Sequence, residues 1–308
     1  MKEVLVVYYT QTGQLLDILE NIVVPFDKEK VNVTYHKIEL EDPFPFPWTK
    51  EAFYNAFPES FRQVPAKLKA PNESVFSKKY DLVVLGYQVW FLTPSVPINS
   101  FLKSEAAKKL LSNTPVVTVV ACRNMWIQAQ EKVKRLLKNV EANLVGHIAL
   151  VDRNVNHISV ITIAHWMFSG DKGRMWGIFP KPGVSDKDIK EASRFSPVIE
   201  EALLSNTFSI LQGKLLELNA VIVNPFLVKT DERGNFVFSK WAALLTKKGE
   251  ESEAKRNKWI NYFKKYLFFA IWVIAPIVFV VFLITYLPTY KKRKKEKEYY
   301  SSVYLKEN

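Results

Sequence analysis

The stretch Val4-Leu-Val-Val-Tyr-Tyr-Thr-Gln-Thr-Gly-Gln-Leu15 decides the fold class. Its first six residues form a continuous apolar and aromatic run, which is typical of a strand buried on both faces of a parallel sheet. Apolar residues then recur at helical spacing over residues 15–23. The polar turn between them predicts a phosphate cradle, in which Gly13, two threonine hydroxyls and the backbone N–H groups of a helix N-terminus hold the anion. An ordinary polar turn with a helix cap is the alternative, because neither a Gly-x-Gly-x-x-Gly motif nor a Walker loop is present.

Four further stretches have the composition of strands. They cover residues 31–40, 80–86, 113–121 and 143–151, and a basic amphipathic helix over residues 127–140 follows the fourth strand. This alternation predicts an α/β fold with a doubly wound, five-stranded parallel sheet. Because ligands bind such sheets outside the carboxyl ends of the strands, we expect the loops 10–15, 87–94 and 122–126 to converge on one site.

Charge is distributed unevenly along the 308 residues. Residues 246–308 carry fourteen Lys and Arg against six Asp and Glu, whereas the first 245 residues carry 29 against 25. The body therefore lacks the basic surplus of a nucleic-acid-binding protein, and we expect no nucleic-acid partner. The single cysteine, Cys122, excludes a disulfide framework and suits a reducing cytosol. Because residues 1–3 lead directly into a strand, we expect no signal peptide.

The positive charge flanks one apolar segment. Residues 266–288, YLFFAIWVIAPIVFVVFLITYLP, contain no charged side chain. A helix of that length reaches about 34 Å, enough to cross a bilayer core of about 30 Å, so we predict a membrane helix with the body in the cytoplasm. Seven Lys and Arg lie within twenty residues on each side, so the positive-inside rule does not orient it. Pro276 lies in the middle of the segment and leaves open a re-entrant hairpin that keeps both flanks cytoplasmic.

Three loops carry a resemblance to a known family. Thr10-Gln-Thr-Gly13 resembles the phosphate loop of flavodoxins, although Leu15 replaces its last hydroxyl residue. Gly86-Tyr-Gln-Val-Trp90 resembles the flavin-ring loop of flavodoxin-like quinone and FMN reductases, and Cys122-Arg-Asn-Met-Trp126 follows the strand of the third cofactor loop. The resemblance covers residues 2–213, if a helix over 185–211 closes the sheet, and implies FMN. The cofactor-binding residues it implies are Thr10, Gln11, Thr12, Gly13, Gln14, Leu15, Tyr87, Gln88, Val89, Trp90, Phe91, Cys122, Arg123, Asn124 and Trp126.

The catalytic candidates are fewer. Arg123 could favour negative charge on a reduced flavin, or it is a surface cation. His157 and His165 are eight residues apart in the apolar segment 157–168, so they share a face if that segment is helical. Either could protonate an enolate or phenolate, or serve as a core or capping residue. Cys122 has no paired base and is expected to pack, and His36 and His147 lack the spacing of metal ligands, so we predict no metal site.

A narrower resemblance covers the whole chain. Asp42-Pro-Phe-Pro-Phe-Pro-Trp48, Phe179-Pro-Lys-Pro-Gly-Val-Ser-Asp186 and residues 157–168 resemble flavodoxin-like proteins labelled dialkylresorcinol-condensing enzymes. This resemblance implies an FMN-dependent step that aromatises a dialkyl-cyclohexanedione. It also implies a lipophilic substrate, membrane lipid, and a ketosynthase of the same pathway as partners. A membrane-linked NAD(P)H:quinone reductase, an electron-carrier flavodoxin and a membrane-tethered scaffold without flavin remain alternatives.

The chain therefore divides into four predicted parts. Residues 1–213 form a flavodoxin-like FMN domain, residues 214–262 an appended linker or juxtamembrane region, residues 263–290 the membrane helix, and residues 291–308 a basic tail. The aromatic residues of the loop 41–61 either pack on the body or form a wall of an apolar cleft.

Overall fold

A parallel sheet of five strands lies at the centre of the chain, of which the computed structural model describes residues 1–306. The strands are β1 (Lys2–Tyr8), β2 (Val31–Lys37), β3 (Leu82–Trp90), β5 (Pro115–Cys122) and β6 (Asn143–Val151), and a short β4 (Thr93–Pro94) pairs antiparallel with the end of β3. The parallel strands lie in the order β2-β1-β3-β5-β6, which is the flavodoxin-like order with its switch point between β1 and β3. The predicted fold class is confirmed.

Helices connect the strands and cover both faces of the sheet. Their bounds are α1 (Gln14–Val23), α2 (Lys50–Asn55), α3 (Phe57–Phe61), α4 (Glu73–Phe76), α5 (Val96–Leu102), α6 (Glu105–Leu111), α7 (Ile127–Asn139), α8 (Asn156–Ser169), α9 (Asp186–Lys190), α10 (Ser196–Ser205) and α11 (Leu211–Glu217). The helix predicted over residues 185–211 is divided, because α9, a 3₁₀ segment Glu191–Phe195 and α10 follow one another before α11 packs on β6. Right-handed crossovers place α1 and α5 on opposite faces.

The third strand is longer than the sequence pattern predicts. β3 continues past Gly86 to Trp90, and its register with β5 extends to the pair Gln88 and Ala121. Side chains alternate between the two faces of the sheet along the strand. Tyr87 is therefore fully buried between the sheet and α7, and its hydroxyl donates to Gln130 Oε1 at 2.7 Å. The strand ends where Phe91 adopts a positive φ and the chain turns back into β4.

A layer of long helices follows the sheet. α12 (Pro225–Glu251) and α13 (Glu253–Phe269) form an antiparallel pair, joined at Ser252, whose hydroxyl caps α13. The pair docks on α3 through a second apolar core, in which the rings of Phe57 and Phe263 stack at 4.1 Å. Arg256 adds a two-pronged ion pair with Glu59, both bonds 2.8 Å long. The appended helices are therefore packed on the body.

One carboxylate of α12 positions the loop after β5. Asp231 is fully buried, and its Oδ2 accepts from the backbone N–H of Gln128 at 3.2 Å, in the first turn of α7. Burial raises the pKa of Asp231 to about 7. This contact ties the start of α7, and with it the loop 122–126, to the appended layer.

The apolar segment continues the helix of α13 without a break. Glu253–Ile284 spans 32 residues, through a π-helical turn (Ala270–Ile274) into α14 (Ala275–Ile284), and it is the only helix in residues 1–306 long and apolar enough to cross a membrane. The π turn immediately precedes Pro276, which lacks the N–H that would continue the helical ladder. One face of the segment packs along α12, where Phe226 contacts Phe279 and Phe282.

The tail returns to the body after this segment. α15 (Tyr290–Tyr300) places Glu296 2.8 Å from Lys229, and the Tyr300 hydroxyl donates to Glu232 at 3.0 Å. Further along, Gln212 Nε2 donates to the carbonyl of Ser301 at 2.8 Å. Both ends of the apolar segment are therefore fastened to the same body. The basic tail predicted over residues 291–308 includes residues 307 and 308, which lie outside the described residues.

Candidate functional site

The three predicted loops converge on one cavity of about 320 Å³ at the carboxyl ends of β1, β3 and β5. This volume lies within the range of ligand pockets, which runs from about 300 to 1,000 Å³. The lining residues come from all three loops, from the aromatic loop (residues 41–61), from α8 and from the loop that follows α8. They are Gln11, Thr12, Gln14, Leu15, Phe46, Trp48, Phe53, Gln88, Val89, Trp90, Phe91, Ala121, Cys122, Arg123, Ile163, Trp166, Met167 and Gly183.

One end of the cavity is the turn that opens α1. Gly13 has φ +83°, a conformation that only glycine adopts freely, and its N–H donates to Thr10 Oγ1 at 3.0 Å. Thr10 therefore shapes the turn, while Thr12 lines the cavity. Within residues 1–306, the N–H groups of Thr12, Gln14 and Leu15 make no hydrogen bond. These N–H groups and the positive end of the helix dipole are the elements of an anion cradle.

A loop after α8 covers this cradle. The Gln14 side chain donates to the carbonyl of Val184 at 3.1 Å and accepts from its N–H at 3.0 Å. Gly183 has φ +84°, and a Cβ there would lie 2.6 Å from Gln14 Oε1 and 2.9 Å from the Trp166 ring. Both polar atoms of the Gln14 side chain therefore bind the backbone of this loop. Leu15, which departs from the flavodoxin pattern, is buried in the core beside the cavity.

An aromatic wall forms the other side of the cavity. The Trp90 ring meets the rings of Tyr9, Phe44 and Trp48 edge to face, with centroids 5.0 to 6.0 Å apart. The Trp48 indole N–H donates to Gln11 Oε1 at 3.1 Å, which fastens the aromatic loop to the phosphate turn. The aromatic loop is therefore a wall of the cavity, one of the two roles expected for it.

Two polar groups face this apolar space, one from β3 and one from the residue that follows β5. Gln88 lines the cavity, and its buried Oε1 has no hydrogen-bond partner within residues 1–306. Arg123 also lines it, and its Nη1 donates to Asn156 Oδ1 at 2.7 Å. Burial lowers the pKa of Arg123, and no carboxylate of the described residues forms an ion pair with it. Burial also raises the pKa of the Cys122 thiol, which argues for the packing role expected of this residue.

Seven residues singled out from the sequence do not line the cavity. Thr10 and Gly13 shape the turn behind it, and Tyr87 is buried with its hydroxyl on Gln130. The other four lie elsewhere. Trp126 is buried against the His147 ring, with centroids 5.1 Å apart, and Asn124 faces a second cavity. His157 Nε2 lies 3.1 Å from the carbonyl of Ile271 in the apolar helix, and His165 Nε2 lies 3.7 Å from Asp171 at the surface. The two histidines lie on α8 as expected, yet neither lines the space where the loops converge.

The chain is similar to several solved flavoprotein structures at low identity. No family model and no curated protein matches the chain. A flavoprotein from Lactobacillus acidophilus, solved in complex with FMN, shares 16% identity, 48% coverage of this chain, 93% coverage of its own and a TM-score of 0.38. A Bacteroides eggerthii protein described as a flavoprotein is 17% identical, covers 55% of this chain and 99% of its own length, and has a TM-score of 0.38. RosB, solved with bound 8-demethyl-8-formylriboflavin-5'-phosphate, is 10% identical, covers 73% of this chain and 92% of its own length, and has a TM-score of 0.39. These values are too low to assign a cofactor or activity.

Part of the lining was missed by motif reasoning. Ile163, Trp166, Met167 and Gly183 come from α8 and from the loop after it, outside the three strand-end loops. The apolar composition of residues 157–168 and the sequence Pro-Lys-Pro-Gly183 were visible, but neither has a spacing that predicts contact with the phosphate turn.

Proposed function

We propose that the chain is an FMN-dependent oxidoreductase that acts on a lipophilic cyclic substrate. One observation carries this proposal: the three strand-end loops meet in one cavity with an anion cradle at one end and an aromatic wall beside it. A phosphorylated ring system needs both features together.

The residues present fit FMN. The free N–H groups of the α1 turn and the Thr12 hydroxyl suit a phosphate, and Trp90 and Trp48 suit the edge or face of a flavin ring. Gln88, with its unpaired oxygen, is placed to accept from a ring N–H. Bound FMN would supply a two-electron acceptor for a hydride leaving the substrate ring.

The lining has no carboxylate or imidazole, so the cavity contains no conventional general base. A cyclic 1,3-dione is acidic because its enolate is delocalised, so it would lose a proton to solvent water at the cavity mouth before its ring is enclosed. The Arg123 cation would stabilise that enolate, and the aromatic wall and the 183 loop would exclude water from it. This favours aromatisation of a dialkyl-cyclohexanedione, as the resemblance implies, with a ketosynthase of the same pathway as the source of the ring.

The test is spectroscopic. Purified protein should be yellow or should acquire flavin absorbance when FMN is added, and anaerobic addition of a dialkyl-cyclohexanedione should bleach that absorbance. Bleaching by NADPH followed by turnover with a soluble quinone would instead favour the quinone reductase, to which the same aromatic cavity is suited. A colourless protein that binds no FMN would leave the scaffold alternative and refute the proposal.

We further propose that the body is cytoplasmic and that the apolar helix lies in one leaflet without crossing the bilayer. Support comes from its two fastened ends, and from its outward face, where Phe268, Ile277 and Leu283 are each more than half exposed. Leu305→Cys in whole cells should resist an impermeant thiol reagent and react after lysis. Labelling in intact cells would place the tail outside and refute this topology. The experiment is made in a Cys122→Ser background, because the native Cys122 is only partly buried and lines the first cavity.

A further inference from the structure

A second cavity of about 620 Å³ lies beside the first, at the carboxyl end of β6 and under the apolar helix. Its floor comes from the body, one wall from the start of α12, and its roof from α14. The lining residues are Asn124, Trp126, Ile127, Val151, Asp152, Arg153, Asn154, Val155, Asn156, His157, Ile222, Asn224, Phe226, Leu227, Ala275, Pro276, Phe279 and Val280. It is large enough for a ligand of drug size.

The floor of the second cavity is polar and mostly uncharged. Asn124 is 8% exposed, and its Oδ1 has no partner within residues 1–306, while its Nδ2 donates to Asn156 Oδ1 at 3.0 Å. Asp152 is internally satisfied, since it accepts from Ser159 Oγ at 2.7 Å and from the Asn154 N–H at 2.9 Å. Amides that both donate and accept suit a hydroxyl or carbonyl head group.

The roof is apolar and borders the exposed face of the membrane helix. Ala275, Pro276 and Phe279 face the cavity, and Val280, which also lines it, is 55% exposed. A ligand dissolved in the leaflet would therefore meet the cavity beside α14, and its chain could remain against apolar side chains as its head group reached the floor.

A hydrogen-bonded set separates the two cavities. Asn156 Oδ1 accepts from Arg123, which lines the first cavity, and from Asn124, which lines the second. The polar end of a molecule in the second cavity therefore lies one side-chain layer away from the first.

We propose that the second cavity binds an amphiphile, an uncharged hydroxylated or keto ring with an alkyl chain, that enters from the membrane leaflet. The proposal deepens the proposed function, on which it rests for the fate of the ring. The cavity receives the lipophilic substrate, or holds the product before release. The head group of that molecule then contacts the hydrogen-bonded Arg123, Asn156 and Asn124 side chains, which lie between the two cavities.

The experiment uses full-length protein in lipid nanodiscs and hexylresorcinol with a diazirine on its alkyl chain as the probe. Cross-linking should label the peptide containing Phe226 and Leu227, and unlabelled hexylresorcinol should compete. Ala275→Trp, which fills the cavity from its roof, should reduce that labelling about tenfold or more, because the indole occupies space that the ligand needs. Ile277→Trp, on the outward face of the same helix, should leave the labelling unchanged.

Labelling confined to the outward face of α14, or unchanged by Ala275→Trp, overturns the proposal. Leu227→Trp fills the same cavity from α12 and replaces Ala275→Trp if that variant does not fold. The measurement is made on protein with and without FMN. Competed labelling in protein that binds no FMN would support the amphiphile site while refuting the flavin function, so the two failures are distinguishable.

Discussion

The two cavities of this protein lie side by side at the same edge of one sheet, yet they are built differently. The first is formed mainly by the loops that follow β1, β3 and β5, and most of its features follow from strand-end positions. The second needs α12 and α14, which the sheet does not require. The flavodoxin-like core thus supplies a place for an anion and a planar ring, and the appended layer supplies contact with lipid.

The largest expected effect is on the pH dependence of the unfolding free energy, through a histidine beneath the second cavity. His147 is buried against Trp126, and burial, with the nearby Lys134 cation, lowers its pKa to about 3. Between pH 6.5 and about 3 the unfolded chain binds a proton that the folded chain does not, so the unfolding free energy should fall with acidification by as much as ~5 kcal/mol. His147→Asn should lack this component. Denaturant unfolding at a series of pH values measures it, and parallel pH profiles would contradict it.

The next effect concerns the loop over the anion cradle. Gly183→Ala places a methyl group against Gln14 and Trp166 at a positive φ, so we expect FMN affinity to drop about a hundredfold, equivalent to roughly 3 kcal/mol. Gly177→Ala is the matched control, since Gly177 has φ +72° but no atom within 4 Å of its Cβ position. Fluorescence titration of FMN compares the two variants, and equal affinities would show that backbone strain alone matters.

The third effect concerns the rate of dione oxidation in the first cavity, which Arg123 lines. Arg123→Gln should reduce the rate of dione oxidation about thirtyfold, or roughly 2 kcal/mol, because enolate stabilisation is lost. Arg62→Gln should leave the rate near that of the parent protein, since Arg62 is exposed and lines neither cavity. Anaerobic single-turnover rates provide the measurement. A similar loss in both variants would indicate a general charge effect.

The smallest effect distinguishes two tryptophans that motif reasoning treated alike. Trp90→Leu should weaken FMN binding about tenfold, because an edge-to-face aromatic contact contributes about 0.5–1.5 kcal/mol beyond its buried area. Trp126→Leu should leave FMN affinity intact and lower the free energy of unfolding, since Trp126 packs on His147. The FMN titration and a denaturant melt of each variant decide this. Weaker FMN binding in Trp126→Leu would contradict the placement of that ring.

The sequence predicted the sheet well because buried parallel strands leave continuous apolar runs, as in residues 143–151, whose predicted strand matches β6. It predicted the convergence of three loops because strand order places their ends together. The sequence did not show whether Tyr87 and Trp126 face the cavity or the core. Tyr87 faces the core because β3 continues past Gly86, so that side chains there still alternate between the two faces of the sheet. The direction of Trp126 depends on the residue at which α7 begins. The second cavity was unpredictable, since tertiary packing alone brings Ala275 to Asn124.

The return of the tail to the body has a consequence for the order of events during synthesis. Arg293 is buried and its guanidinium lies 4.1 Å from the centre of the Phe282 ring, while Tyr299 donates to Glu131 on α7. The Tyr299–Glu131 contact can form only after the apolar helix has been translated and α7 has folded. If the apolar helix lies in one leaflet as proposed, a chain whose helix is handed early to the insertion machinery would lose this contact. The proposed topology therefore implies that the body folds before the tail docks on it.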